Sequence, residues 1–244
     1  FPALKCIQVT SAGLDRVPLD YCKAHGITVY NAGGVYSAPM AEFVLGGILQ
    51  LYKESKFFAE NQVAHRWEKH RGLRELSGKT ACIIGTGSVG SAIARRLRAF
   101  DVQTVGINRS GHPAAEFDQT QPTCRLDDLL PVADLVICAM PLTAETAGLF
   151  DSVRIAKIKP GAVFVNVARG KVTDQQALVE ALQSGQLFGA VLDVFEEEPL
   201  PRSSPLWDME QVILTPHNSF VGEHNGERLF KCIKEHLYEL SKEC

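Results

Sequence analysis

The chain has 244 residues, 45% of them apolar and 22% charged, with a formal net charge of −3. That length and composition suit one large or two unequal globular domains, and slight acidity with scattered Lys and Arg argues against nucleic acid as a partner. The seven cysteines contain no Cys-x-x-Cys pair and read as reduced and structural, and no metal site is expected. The longest apolar stretch, 43–51, is too short to span a membrane, so no membrane partner is expected and the cytoplasm is the expected location.

The chain opens on Phe1 rather than Met and enters a predicted strand over 4–9 at once, so the expectation is that it is part of something longer. A helix over 18–25, begun at Pro18 and stopped by Gly26, leads to a strand over 27–30. A βαβ piece this small cannot bury its own faces and should pack on other elements. Residues 39–62 are apolar at helical spacing and predict one long helix, in which Gly46 and Gly47 allow close packing. From Gly78 onward the pattern alternates. Strands are predicted over 80–84, 102–107, 134–138, 162–167, 188–193 and 211–215, with helices over 89–99, near 126–131, near 151–157 and over 174–184, and a helical tail over 223–240. Such alternation argues for an α/β protein built on a doubly wound parallel sheet. The basic cluster Arg95, Arg96 and Arg98 reads as a solvated helix face.

In a parallel sheet the groups just beyond successive strands gather on one rim, where such sheets bind ligands. After the strand over 80–84 comes Gly85-Thr86-Gly87-Ser88-Val89-Gly90, opening a helix. Its N–H groups would face a pyrophosphate, as in a Rossmann-type sheet. About 20 residues on, where an acidic residue would hold ribose hydroxyls, stand Asn108, Arg109 and Ser110. A carboxylate about 4 Å from a 2′-phosphate would repel it by about 4 kcal/mol per unit charge at an effective dielectric of 20, and Arg would attract it comparably. NADP(H) is therefore favoured, with NAD(H) as the alternative. The next strands lead into Ala139 and Pro141, into Val167, Ala168 and Arg169, into Asp193 and Glu198, and into His217. Imidazole changes charge near neutral pH, so His217 suits a proton donor, with Glu198 to stabilise the imidazolium. Arg169 offers a planar fork for a substrate carboxylate and carbonyl.

Five motifs stand in order along the chain: Leu76-Ser77-Gly78-Lys79-Thr80; Met140-Pro141-Leu142-Thr143 with Glu145-Thr146; Val165-Asn166-Val167-Ala168-Arg169-Gly170; Asp193-Val194-Phe195 with Glu198-Pro199; and Thr215-Pro216-His217. On these the chain resembles the D-isomer-specific 2-hydroxyacid dehydrogenases over nearly its whole length. The resemblance implies an enzyme that reduces a small 2-oxo acid, or oxidises a D-2-hydroxy acid, with a nicotinamide cofactor between two domains. The second domain would be a smaller, truncated, flavodoxin-like substrate domain. The expected division is 1–39 for its remnant, 40–220 for the dinucleotide-binding domain with a dimerisation helix, and 221–244 for the return.

The resemblance also implies that Asp193 lies near the nicotinamide carboxamide and the His–Glu pair. Backbone N–H groups around Ala12 and Gly13, in Ser11-Ala12-Gly13-Leu14-Asp15, would bind the substrate carboxylate. A homodimer is implied, built on the helix after Pro39 and the segment through Trp67. Two departures stand out. Asn218-Ser219-Phe220-Val221 replaces the usual small-residue run after His217, so Phe220 narrows the pocket or simply packs. The family's first strands and helix are not in this sequence, and the expectation is that they belong to the molecule all the same. A formate dehydrogenase is disfavoured by Glu198, because that branch pairs its histidine with glutamine. Reduction of glyoxylate or hydroxypyruvate is the leading expectation. A dinucleotide-sensing corepressor-type protein and an NAD-dependent phosphoglycerate dehydrogenase-like enzyme remain open.

Overall fold

The structure is a computed structural model that describes residues 3–14 and 16–243. Phe1, Asp15 and Cys244, which enter the sequence expectations, lie outside the described residues.

The first segment forms a two-stranded parallel sheet, β1 (Cys6–Gln8) and β2 (Thr28–Tyr30), joined through α1 (Leu19–Ala24). Both strands are shorter than predicted. The long helix predicted over 39–62 is two helices, α2 (Ser37–Tyr52) and α3 (Ser55–Val63), because Glu54 takes a left-handed backbone that ends the helical hydrogen-bond ladder. Only one of its paired glycines serves close packing. A Cβ on Gly47 would strike the Val191 side chain, whereas one on Gly46 would meet open space.

The main sheet contains β3 (Thr80–Ile84), β4 (Gln103–Asn108), β5 (Gln119–Pro122), β6 (Leu135–Cys138), β7 (Val163–Asn166), β8 (Gly189–Leu192) and β9 (Val212–Leu214). All pairings are parallel, in the order β5-β4-β3-β6-β7-β8-β9. Between them run α4 (Ser88–Arg98), α5 (Leu126–Leu129), α6 (Ser152–Lys157) and α7 (Gln175–Gln183). The strands are buried on both faces, so alternate residues fall into two cores. Cys82, Ile84, Val136, Cys138 and Phe164 face one side, and Ala81, Ile83, Leu135, Ile137 and Val165 the other. Burial pushes the Cys82 thiol up to about 12 and the Cys138 thiol well above its ordinary value. Both are therefore inert thiols in the core.

The chain winds outward from β3 in both directions, so the strand order reverses between β3 and β6. The carboxyl ends of those two strands flank a crevice of the kind that binds ligands in such sheets. β5 was not foreseen. It reads Gln119-Thr120-Gln121-Pro122, and a polar, Pro-ended run is tolerated only at a sheet edge. The last helix, α8 (Asn225–Glu243), returns to the first segment: Arg228 Nε donates to the Val35 carbonyl at 2.7 Å, and His236 stacks on Tyr30 at 4.5 Å. Among the described residues no helix is long and apolar enough to cross a membrane.

At the opposite rim Asp134 clips β3 to β6. It accepts from Thr80 N at 3.0 Å and from Lys159 Nζ at 2.7 Å, with Lys79 Nζ at 3.9 Å. Its burial works against ionisation, but these donors and cations outweigh it and hold the carboxyl below its ordinary value. Asp118 is held low by the Thr104 backbone N–H, and Asp127 by Lys157 and Arg154. Each of these groups titrates lower folded than unfolded. The stability they add is present above the unfolded value of about 3.9 and is lost as the pH falls through the folded one. Thermal melts should therefore show Tm dropping steeply below about pH 4. Asp134→Asn should melt lower than the parent at pH 7 and lose less on acidification; parallel Tm–pH curves would refute the assignment.

Candidate active site

At the end of β3 the glycines divide three tasks. Gly85 has a φ of +106°, and a Cβ there would press on the Ala139 carbonyl and Met140 N beyond β6. A Cβ on Gly90 would strike the Gly85 carbonyl, so its bareness lets α4 start close to the strand. Gly87 is different. It is exposed at the helix N-terminus, nothing lies within 4 Å of where its Cβ would be, and Ser88 beside it is exposed. Open space beside a glycine at the unpaired N–H groups of a helix start is the cradle a pyrophosphate requires, and Val89 continues that first turn.

Beyond β4, Asn108 spends its amide inside the chain. Its Nδ2 donates to Thr86 Oγ1 at 3.1 Å and to the His112 carbonyl at 2.9 Å, while Oδ1 accepts from Ser110 N and Gly111 N. Asn108 therefore ties the glycine loop to the next turn, and Arg109 is left 91% exposed beside it, 3.8 Å from Glu145 Oε1. Glu145 sits on the loop after β6, where Thr143 Oγ1 donates to it at 2.7 Å.

Two further loops carry the catalytic candidates. His217 Nδ1 lies 2.9 Å from Glu198 Oε2, and the other Glu198 oxygen accepts from Phe195 N at 3.0 Å. His217 has a φ of +52°, a left-handed conformation that costs about 1–2 kcal/mol outside glycine. Its N–H donates to the Asp193 carbonyl at 2.8 Å. The Asp193 side chain, expected beside the nicotinamide, is 1% exposed, and accepts from Thr215 Oγ1 at 2.6 Å, Asn218 N at 2.7 Å and Ser219 N at 3.0 Å. Its carboxylate grips the turn that carries His217.

Arg169 follows β7 with Val167 and Ala168 buried ahead of it, and its Nη1 donates to the Ala168 carbonyl at 2.8 Å. Buried Asn166 shapes this loop: Oδ1 accepts from Ala168 N at 3.0 Å and Nδ2 donates to the Arg169 carbonyl at 3.1 Å. A Cβ on Gly170 would overlap the backbone of Phe195 and Glu196. The Arg169 loop and the Glu198 loop thus lie backbone on backbone. In the first segment Ala12 is exposed and Gly13 half-buried, on a loop held by Asn31 Nδ2 on the Ala12 carbonyl at 2.9 Å and by Ala32 N on the Ser11 carbonyl.

Residues 45–219 match the family model described as D-isomer specific 2-hydroxyacid dehydrogenase, NAD binding domain. The chain belongs to that family. It is 34% identical over 243 residues to glyoxylate/hydroxypyruvate reductase B of Salmonella typhimurium, an alignment covering 98% of this chain and 75% of the relative. A solved D-isomer specific 2-hydroxyacid dehydrogenase family protein from Aeromonas salmonicida superposes with a TM-score of 0.86 at 36% identity, covering 98% of this chain and 76% of that one. The NADPH-dependent glyoxylate/hydroxypyruvate reductase of Sinorhizobium meliloti, solved with NADP and sulfate, superposes at 0.83 with 28% identity, covering 99% and 77%. The chain is thus an NAD(P)-dependent oxidoreductase acting on the CH–OH group of 2-hydroxy acids, with hydride transfer to or from the carbon of a 2-oxo acid.

In this dehydrogenase the sequence reading missed Asn166, Gly170, Thr215 and Asn31 as supports of the site. Asn166 and Asp193 share one available signal, a short polar residue that closes an apolar strand run. Gly170→Ala should force the two loops apart at a cost of about 1–3 kcal/mol, lowering Tm by roughly 2–12 °C. Turnover should fall with it, since Arg169 and Glu198 both ride on that contact. A variant with parental melting and kinetics would show that the loops are not coupled there.

Proposed function

We propose that this dehydrogenase works in the reductive direction, using NADPH to convert a small 2-oxo acid to its D-2-hydroxy acid. The reading is carried by the His217–Glu198 pair, which stands at the same sheet rim as the open glycine cradle. Gly85, Gly87 and Gly90, with the N–H groups of Ser88 and Val89, would hold the pyrophosphate, and Arg109 and Ser110 the ribose 2′-phosphate, while Asn108 orders their turn. Ala139, Pro141, Val167 and Ala168 would line the nicotinamide half. Bound NADPH would supply a hydride to C2 of the substrate. The other steps belong to the chain. The N–H groups around Ala12 and Gly13 and the Arg169 fork seat the carboxylate, and Arg169 polarises the carbonyl. With Nδ1 turned to Glu198, His217 keeps Nε2 for the carbonyl oxygen and delivers the proton as negative charge develops there. Asp193 acts by holding His217.

The NADPH preference rests on Arg109, the exposed cation at the end of β4, on a turn that carries no carboxylate of its own, with Glu145 of the neighbouring loop 3.8 Å away as the ion pair a 2′-phosphate would have to replace. Glyoxylate and hydroxypyruvate, named for two of the relatives, are the first compounds to test. We also propose a homodimer through α2, on which nothing lies within 4 Å of where a Cβ on Gly46 would be, and the segment around Trp67, which is 98% exposed. Residues 1–39 and 221–244 would belong to the substrate domain and 40–220 to the dinucleotide-binding domain. The free cysteines fit a reducing compartment such as the cytoplasm.

Loss of absorbance at the reduced-nicotinamide band with a panel of 2-oxo acids tests the reading. Turnover should be faster with NADPH, and His217→Ala should lower it about 10²–10⁴-fold while cofactor binding persists. Binding of NADPH without turnover of any oxo acid would favour a sensing protein instead. Arg109→Ala should weaken NADPH about tenfold and leave NADH nearly unchanged; equal losses for both cofactors would remove Arg109 from the 2′-phosphate site. Sedimentation should give a mass of two chains at micromolar concentration, and a monomer would refute the dimer.

A further inference from the structure

Beyond His217 the chain departs from the small residues of the resemblance, and the departure has a defined geometry. The backbone on both sides of Phe220 is pinned: Ser219 N donates to Asp193 Oδ2 at 3.0 Å, and the Phe220 carbonyl accepts from Asn225 Nδ2 at 2.8 Å. The ring itself is 40% exposed. It meets the Tyr36 ring edge-on, with centroids 5.7 Å apart at 84°, and the His217 imidazole at 6.3 Å and 81°. The Tyr36 hydroxyl donates to the Thr10 carbonyl, immediately ahead of the Ser11–Gly13 loop. A continuous line, Thr10 to Tyr36 to Phe220 to His217, therefore joins the start of the carboxylate seat to the proton donor.

We propose that Tyr36 and Phe220 form an aromatic wall beside the substrate's C2 substituent, and that this wall selects apolar substituents over a hydroxymethyl group. The proposal rests on the reading of Ala12–Gly13 as carboxylate seat and His217 as proton donor. A 2-oxo acid carries three groups on C2, and that reading anchors two of them, the carboxylate and the carbonyl oxygen. The third has the connecting wall as its neighbour. Phe220 presents only ring edge and face, and the one hydroxyl proton of Tyr36 is already given to Thr10. A substrate hydroxyl moved from water onto the Phe220 ring loses hydrogen bonds that the ring does not replace, and the Tyr36 hydroxyl has no proton left to donate to it, whereas a methyl group gains burial and aromatic contact. The exposed part of the Phe220 ring is the apolar surface a substituent would cover.

Hydroxypyruvate and 2-oxobutyrate differ only by OH in place of CH₃ on the substituent, so their kcat/KM ratio isolates the wall. With NADPH and the full chain, 2-oxobutyrate should be favoured about tenfold, equal to about 1.4 kcal/mol. Phe220→Ser should move that ratio about tenfold toward hydroxypyruvate, and Phe220→Leu should leave it near the parent. Phe220→Gln, which keeps bulk while adding polarity, serves if the serine variant does not fold, and should move the ratio the same way. A ratio unchanged within twofold in the polar variants, or a tenfold parental preference for hydroxypyruvate, would overturn the wall. Silence toward every 2-oxo acid would instead overturn the catalytic reading beneath it, and the wall with it.

Discussion

The geometry of the site depends on a carboxylate that water barely reaches. Burying the Asp193 charge is costly unless hydrogen bonds replace its hydration, and three donors from the turn after β9 do so. Those donors can converge on one carboxylate only if residues 215–219 close tightly around it. The closure carries His217 into a left-handed backbone, and the His217 N–H is taken up by the main-chain carbonyl of the same aspartate. Compensation of one buried charge thus orders His217, the proposed proton donor. The chain beyond Asp193 continues to Glu198, which meets His217 Nδ1, so the end of β8 supplies both the clamp and the counter-charge.

The remaining loops join this unit through places where side chains are absent. Gly170 lets the Arg169 loop rest on the Phe195–Glu196 backbone, and Gly85 lets the glycine loop rest on Ala139–Met140 across the point where the sheet order reverses. Backbone in direct contact has little room to yield, because interiors are packed as densely as organic crystals. The rim that carries the chemistry is therefore spaced by glycines and buried carboxylate and amide groups. The opposite rim is tied differently, by the partly exposed Asp134 with Lys159 and Lys79, while Asp127 on α5 joins that helix to Arg154 and Lys157 on α6.

Much of this architecture was legible because the buried parallel strands are short apolar runs with abrupt polar ends. Thr80–Ile84 can be read directly, and the strands that end near Arg169, Glu198 and His217 lie within a residue or two of their predicted bounds. The misses have physical causes. β5 is polar and proline-ended because it is an edge strand, and the break at Glu54 interrupts an apolar pattern that continues on both sides of it. Asp193 and Asn108 could be recognised as strand-end polar groups. Which donors and acceptors they would engage depends on residues as many as 26 positions away, and local pattern does not encode that.

The same bonding explains how the chain beyond His217 can change without disturbing His217 itself. Asn218 and Ser219 reach Asp193 through their backbone N–H groups, which almost any residue provides. The side chains on that turn are consequently free to differ while the clamp stays intact. Phe220, next along, uses that freedom, anchored by its carbonyl on Asn225 and by ring contacts with Tyr36 and His217. A turn fixed through its main chain separates the placement of His217, the proposed proton donor, from the side-chain surface next to it, so one can be held constant while the other varies.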